Sequence, residues 1–361
     1  MMKKMYRGLL SLAMLLAFSN AHAQTLTLPE PELPKVEAYA PEGIKDGTAR
    51  AGQGDPAAMY RLGYMSHYGI NVPQDDRKAA VWMAKASEAG DPNGMVALAR
   101  FYKKGLGVAA DFSRAVDLFN KAAQKQSGLA YYELGLLYEE GQNGEGRGVF
   151  QSYEKAIKLF NKAGDTGVLQ GYLKVAQYYH QGLGVQRDLQ KAIFFYTKVA
   201  GGSDESLKRD YSLLLSQLYM ELGSEEKNKE EAIKWIIKAA ETGDTKAQIA
   251  AGQAYLNGQG IAPDEAKARY WFEQAAAHDS PEAIVSLAYI YANGVGVDVD
   301  YKKAFGYYSH AAELGNSEAA WNLGNFYTNG YGVPADAAKA KEWFARSQAL
   351  GSRQPVPGGA Q

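Results

Sequence analysis

A fixed distance governs this sequence. With one glycine or its equivalent taken as a marker in each unit, Gly69, Gly105, Gly141, Gly182, Leu222, Gly258, Gly294 and Gly330 stand 36, 36, 41, 40, 36, 36 and 36 residues apart. A repeat of this size is the mark of a solenoid, in which each unit buries its apolar surface against its neighbours rather than in one closed core. The two long intervals have visible causes. "GQNGEGRGVFQS" lengthens the third loop by five residues, and extra residues around "GGSDESLKRD" separate the fourth unit from the fifth.

Each unit reads as two antiparallel helices. The positions eleven, seven and three before the marker are Ala283, Leu287 and Tyr291 in the seventh unit and Ala319, Leu323 and Tyr327 in the eighth. Spacing of four keeps them on one helical face. Six before the marker the residue is always small, as in Gly63, Ala99, Gly135 and Gly252. Ten after it, with the third loop's insertion allowed for, stands alanine in every unit, and three later a large side chain: Trp82, Leu118, Leu159, Phe195, Trp235, Trp271, Tyr307, Trp343. Large residues opposite small ones predict interdigitating helices.

The loops resemble phosphate cradles at first sight. "GVGVDVDYKKAF" from Gly294 offers Gly-x-Gly followed by two aspartates, but its frame recurs at Gly105, Gly182, Gly258 and Gly330. Recurrence points to architecture, and no complete G-x-G-x-x-G or P-loop lysine accompanies it. The residue six after the marker is Asp75, Asp111, Asp188, Asp264, Asp300 or Asp336, with Ser152 and Asn228 in the third and fifth units. All are preferred N-caps, so the aspartates are expected to start the second helices. Asn257, Asn293 and Asn329, just before the marker, are expected at helix C-termini.

The pattern in "AAWNLGNFYTNGYGVPADAAKAKEW" from Ala319 resembles the Sel1-like repeat, a relative of the tetratricopeptide repeat, in eight copies. The resemblance implies an all-α fold, a right-handed α/α solenoid (superhelix) of eight Sel1-like helix-turn-helix repeats. It also implies a non-enzymatic protein-interaction scaffold, an adaptor in envelope or exopolysaccharide assembly or signalling. A secreted factor contacting host proteins is the alternative, and hydrolysis of a β-lactam or cell-wall amide a third. Some secreted members carry a disulfide in each repeat; this chain has no cysteine and departs from that branch.

The N-terminus reads as an export signal. A basic start, "MMKKMYR", precedes an apolar run from Gly8 to Phe18 and the A-x-A site "AHA" ending at Ala23. The run is shorter than the ~20 residues that span a bilayer. The expected organisation is residues 1–23 signal peptide, 24–54 a Pro-rich linker with part of a capping helix, 55–351 the eight repeats and 352–361 a flexible tail. A periplasmic or secreted location follows, with no membrane span.

The sequence also limits the chemistry. A net charge of −1 gives no footprint for nucleic acid. His67, His180, His278 and His310 fall in different repeats without metal-ligand spacing, so neither a metal nor a cofactor is expected. There is no G-x-S-x-G elbow for a nucleophile. The partner is expected to be another envelope or secreted protein, or a polysaccharide. In tetratricopeptide relatives the side of the first helix away from the Ala/Leu/Tyr face lines the concave groove. The middle position of that side, five before the marker, gives Tyr64, Arg100, Gln177, Gln217, Gln253, Tyr289 and Asn325 as expected partner-binding residues on an exposed face. The position nine before the marker, apolar from Tyr60 to Trp321, is expected to pack between neighbouring repeats.

Overall fold

The structure is a computed structural model and describes residues 28–141, 149–202 and 205–354. The expected signal peptide, residues 142–148 of the third loop and the tail from 355 lie outside the described residues. Among the described residues there are seventeen α-helices, one short 3-10 turn (Pro41–Gly43) and no strand. The fold is an all-α helical repeat solenoid. Contacts divide the chain between Gly202 and Ser203 into two compact units.

The N-terminal unit opens with α1 (Ile44–Gly52). Four helix pairs follow: α2 (Pro56–Tyr68) with α3 (Asp76–Glu88), α4 (Pro92–Lys104) with α5 (Phe112–Gln124), α6 (Gly128–Glu140) with α7 (Tyr153–Asp165), and α8 (Leu169–Gln181) with α9 (Leu189–Ala200). The C-terminal unit holds α10 (Glu205–Leu222) with α11 (Glu226–Glu241), α12 (Thr245–Asn257) with α13 (Glu265–Ala276), α14 (Pro281–Asn293) with α15 (Tyr301–Glu313), and α16 (Ser317–Asn329) with α17 (Ala337–Ala349). Within each unit the second helix of one pair packs on the first helix of the next.

Side-chain caps set where helices begin. Asp75, Asp111, Ser152, Asp188, Asp264, Asp300 and Asp336 each accept a hydrogen bond from an amide in the first turn of a second helix. Asn228 does not. The fifth repeat lacks both loop glycines, its connection shrinks to three residues, and α11 starts at Glu226, which places Asn228 inside the first turn. First helices have their own caps, Asp55, Asp91, Ser127, Asp244, Ser280 and Asn316, a row the sequence reading passed over. The marker glycines end the first helices. Gly294, at φ 65°, takes the left-handed conformation that closes α14, and Asn293 is that helix's last residue. The second loop glycine has a different task. A Cβ on Gly332 would stand 2.5 Å from the carbonyl oxygen of Tyr301, so this loop packs directly on the start of the preceding repeat's second helix.

The core confirms the small-against-large logic but moves it by one residue. The side chains facing the small positions are Met83, Phe160, Phe272 and Phe344, one after the predicted row, and a Cβ at Gly63, Gly135, Gly252 or Gly324 would collide with them. With Phe119, Tyr196, Ile236 and Tyr308 they form a row that is buried throughout. They lie four residues from the invariant alanine and so share its face, whereas the predicted row lies three away and is displaced toward the helix flank. Of that row only Trp235 and Trp271 are buried.

The tyrosine three before the marker is half-buried in all but one of the repeats that carry it, the exception being Tyr255. In six of these repeats its ring is roofed by a cation from the second helix: Arg114 over Tyr102, Lys155 over Tyr138, Lys191 over Tyr179, Lys267 over Tyr255, Lys303 over Tyr291 and Lys339 over Tyr327, at 3.9–5.5 Å.

Candidate functional site

On the N-terminal unit the first-helix face already carries a peptide, and it is the chain's own. Residues 28–40 have no secondary structure before the turn at Pro41. They run from the fourth repeat toward the first. Gln170 Nε2 on α8 donates to the Pro29 carbonyl (3.2 Å), Arg100 Nη2 on α4 to Pro31 (2.8 Å), and the Tyr60 hydroxyl on α2 to Pro34 (3.0 Å). Asn71, in the loop after α2, donates to the Tyr39 carbonyl (3.0 Å). Leu33 is 5% exposed and joins the buried cluster containing Tyr60, Tyr64 and Val96. The Arg61 guanidinium sits 4.6 Å above the Tyr39 ring.

Beneath the segment lies an ionic network. Arg100 Nε donates to Glu133 Oε1 at 2.6 Å, Lys103 reaches the other Glu133 oxygen at 3.6 Å, and Lys174 pairs with Glu139 at 2.8 Å. The Glu133 side chain is 8% exposed, so its carboxylate depends on these two cations. Burial, together with the carboxylates of Glu139 and Glu30, pushes the Tyr132 hydroxyl up to about 12, and burial raises that of Tyr60. Both therefore stay protonated at neutral pH, and the Tyr60 hydroxyl remains a donor.

None of the seven expected binding residues is fully exposed. Tyr64 is 6% exposed, its ring 4.5 Å from that of Tyr68, and Gln253 is 9% exposed. Arg100, Gln177, Gln217, Tyr289 and Asn325 are half-buried. Tyr64 and Arg100 meet around the segment; Gln177 stands on the same unit, while Gln217, Gln253, Tyr289 and Asn325 line first helices of the C-terminal unit. Asn325 Nδ2 donates to the Trp321 carbonyl of its own helix at 3.2 Å. The expectation of an open row was wrong: Tyr64 and Gln253 are buried, the other five are half-buried, and Tyr64 and Arg100 are engaged by the chain's own residues 31–33.

Four contact residues escaped the sequence reading. Tyr60 belongs to the row assigned to packing, and it packs and also hydrogen-bonds. Gln170 and Glu133 fall outside the periodic positions, and Asn71 stands where other units carry the second loop glycine, sharing its positive φ of 58°. Among the described residues no group of three or more metal-ligating side chains converges. His67 instead pairs with Asp76 at 2.7 Å and packs on Phe101. No helix among the described residues is long and apolar enough to cross a membrane.

Comparison with known proteins now adds to this geometry. The Sel1 repeat family matches residues 56–91, 92–127, 128–167, 169–200, 213–244, 245–280, 281–316 and 317–352. Chitin synthase regulatory factor 3 of Schizosaccharomyces pombe is 32% identical over 233 residues, 60% of this chain and 23% of that protein. Chitin synthase regulator SKT5 of Saccharomyces cerevisiae is 29% identical over 225 residues, 59% of this chain and 31% of that protein. The chain thus spans under a third of the length of either relative. Among solved structures, a protective antigen of uropathogenic Escherichia coli with an SLR fold is 28% identical, covering 89% of this chain and 69% of its own, at TM-score 0.46. A Sel1 repeat protein from Oxalobacter formigenes is 24% identical, covering 92% and 96%, at TM-score 0.47.

Proposed function

The chain belongs to the Sel1 repeat family, and on that premise we propose that it is an exported, non-enzymatic scaffold whose first-helix faces hold an extended segment of another envelope protein. The observation that carries this reading is the chain's own residues 29–39, seated on α2, α4 and α8 through main-chain carbonyls. A face that holds one extended peptide by its backbone has the donors to hold another. Two relatives named as chitin synthase regulators support a regulatory binding role beside polysaccharide synthesis, through the repeats this chain shares with them. The basic start, apolar run and A-x-A site support export, and with it an envelope setting.

Affinity capture from cross-linked cell envelopes tests the proposal. Wild type is compared with a Gln177→Ala, Tyr289→Ala, Asn325→Ala variant, three half-buried positions of the expected row whose truncation leaves the Arg100–Glu133 pair intact. An envelope protein retained by wild type and lost by the variant is the expected result. Identical capture profiles would remove this row from the function.

A further inference from the structure

The seat on the N-terminal unit is matched to proline. Pro29, Pro31 and Pro34 have no N–H, so an extended stretch built on them presents acceptors and no donors at those positions. The face supplies the complement: a side-chain amide from Gln170, a guanidinium from Arg100 and a hydroxyl from Tyr60, one for each of the three carbonyls. Between the second and third contacts Leu33 drops into the apolar cluster. The intervening Glu30 and Glu32 and the following Lys35 are exposed, so the face reads backbone shape and one leucine, not charge. None of these contacts requires the segment to be covalently attached.

We infer that this face is a binding site for an extended Pro-x-Pro-x-Leu-Pro segment of another protein, and that the chain's own residues 29–34 mask it until such a segment displaces them. This rests on the scaffold reading and supplies the chemistry of its partner. A tethered segment competes at an effective concentration on the order of millimolar. A free segment that makes only the same contacts is therefore held off, and a partner that adds contacts or arrives in several copies is favoured.

The test uses the mature chain and a fluorescein-labelled peptide of residues 28–40, with binding read by fluorescence anisotropy. Leu33→Asp places a charge in the apolar seat and releases the chain's own segment without touching any groove residue. The Leu33→Asp chain is expected to bind the peptide at least about tenfold more tightly than wild type does. Adding Tyr60→Phe, which removes only the hydroxyl on the Pro34 carbonyl, is expected to weaken that binding about fivefold. Equal affinity in wild type and Leu33→Asp, or no binding by a Leu33→Asp chain that keeps its helical circular dichroism, overturns the inference. If Leu33→Asp loses that signal, Leu33→Ala takes its place with the same two outcomes. A wild-type chain that light scattering shows to be a segment-exchanged dimer also overturns it, since the occupant is then a second copy. Absence of peptide binding alongside intact envelope capture sinks this inference alone; peptide binding without any captured envelope protein sinks the envelope setting of the scaffold instead.

Discussion

At the scale of single residues, the caps show how much one oxygen contributes. Asp300 accepts the Lys303 amide at 2.8 Å, satisfying a donor that the first turn of α15 leaves open. Asp300→Ala is expected to cost about 1 kcal/mol, read from the urea midpoint. Asn228→Ala should cost only a few tenths, because Asn228 lies inside the first turn and reaches the Gly223 carbonyl at a weak 3.4 Å. Cap identity was legible because Asp, Ser and Asn announce themselves at a fixed offset; cap position failed only where the loop that sets the offset was shortened. Two caps differ in electrostatic sign. The Lys267 amide holds the Asp264 carboxyl below the ordinary range, so its contribution is present above the ordinary carboxylate pKa and is lost as pH falls through the lowered value. Burial pushes the Asp91 carboxyl up, so its ionisation weakens the fold as pH rises through the raised value. Asp91→Asn keeps a good cap and removes a half-buried charge, and should raise the urea midpoint at neutral pH. Asp264→Asn should lower it, and both differences should shrink below the carboxylate range. Midpoint changes of the same sign for the two would contradict this account.

At the scale of helices and loops, close approach decides which positions tolerate change. Gly332 has φ 68° and faces the Tyr301 carbonyl, so Gly332→Ala meets both backbone strain and a collision and should cost more than about 1 kcal/mol. Gly306, exposed within α15 with nothing within 4 Å of an added Cβ, should gain about 0.5–1 kcal/mol on Gly306→Ala through helix propensity alone. Opposite shifts in melting temperature are the expected result, and a stable Gly332→Ala chain would show that the loop can retreat from α15. The pairing of helices was readable from the 36-residue period, yet the buried row was misassigned by one position. Trp82, Trp235, Trp271 and Trp343 are larger than the residues that follow them and stand out in the sequence, while the face is set by the four-residue step from alanine to Met83 or Phe344. The tryptophans take the helix flank, where Lys85, Lys238 and Arg346 cover Trp82, Trp235 and Trp343. A cation nine after the marker in most repeats was a signal in plain view, and it places a lid on the tyrosine of six repeats.

At the scale of the whole molecule, the repeat architecture was legible because periodicity is a property of sequence, and the occupied face was not because occupancy is a property of tertiary contact. Prolines and acids in residues 28–40 spell an extended segment but not where it lies. That was fixed by Gln170, 141 residues from Pro29, and by Arg100, 69 from Pro31. Arg100 is the hinge of the arrangement, since its planar fork holds the Glu133 carboxylate with Nε and the Pro31 carbonyl with Nη2. Arg100→Lys keeps a cation for the buried carboxylate, but a single ammonium has no fixed fork to serve both groups. The exposed Lys35 offers a reporter, because trypsin cuts after it only when the segment lifts far enough to enter a protease. In Arg100→Lys the cut between Lys35 and Val36 should be about fivefold faster than in wild type, the weight of one hydrogen bond, while Asn325→Ala in the C-terminal unit leaves the rate unchanged. A wild-type rate in Arg100→Lys would mean that the Pro31 carbonyl contributes nothing to holding the segment, and that retention on this face rests on the Leu33 seat and the remaining contacts of Tyr60, Gln170 and Asn71.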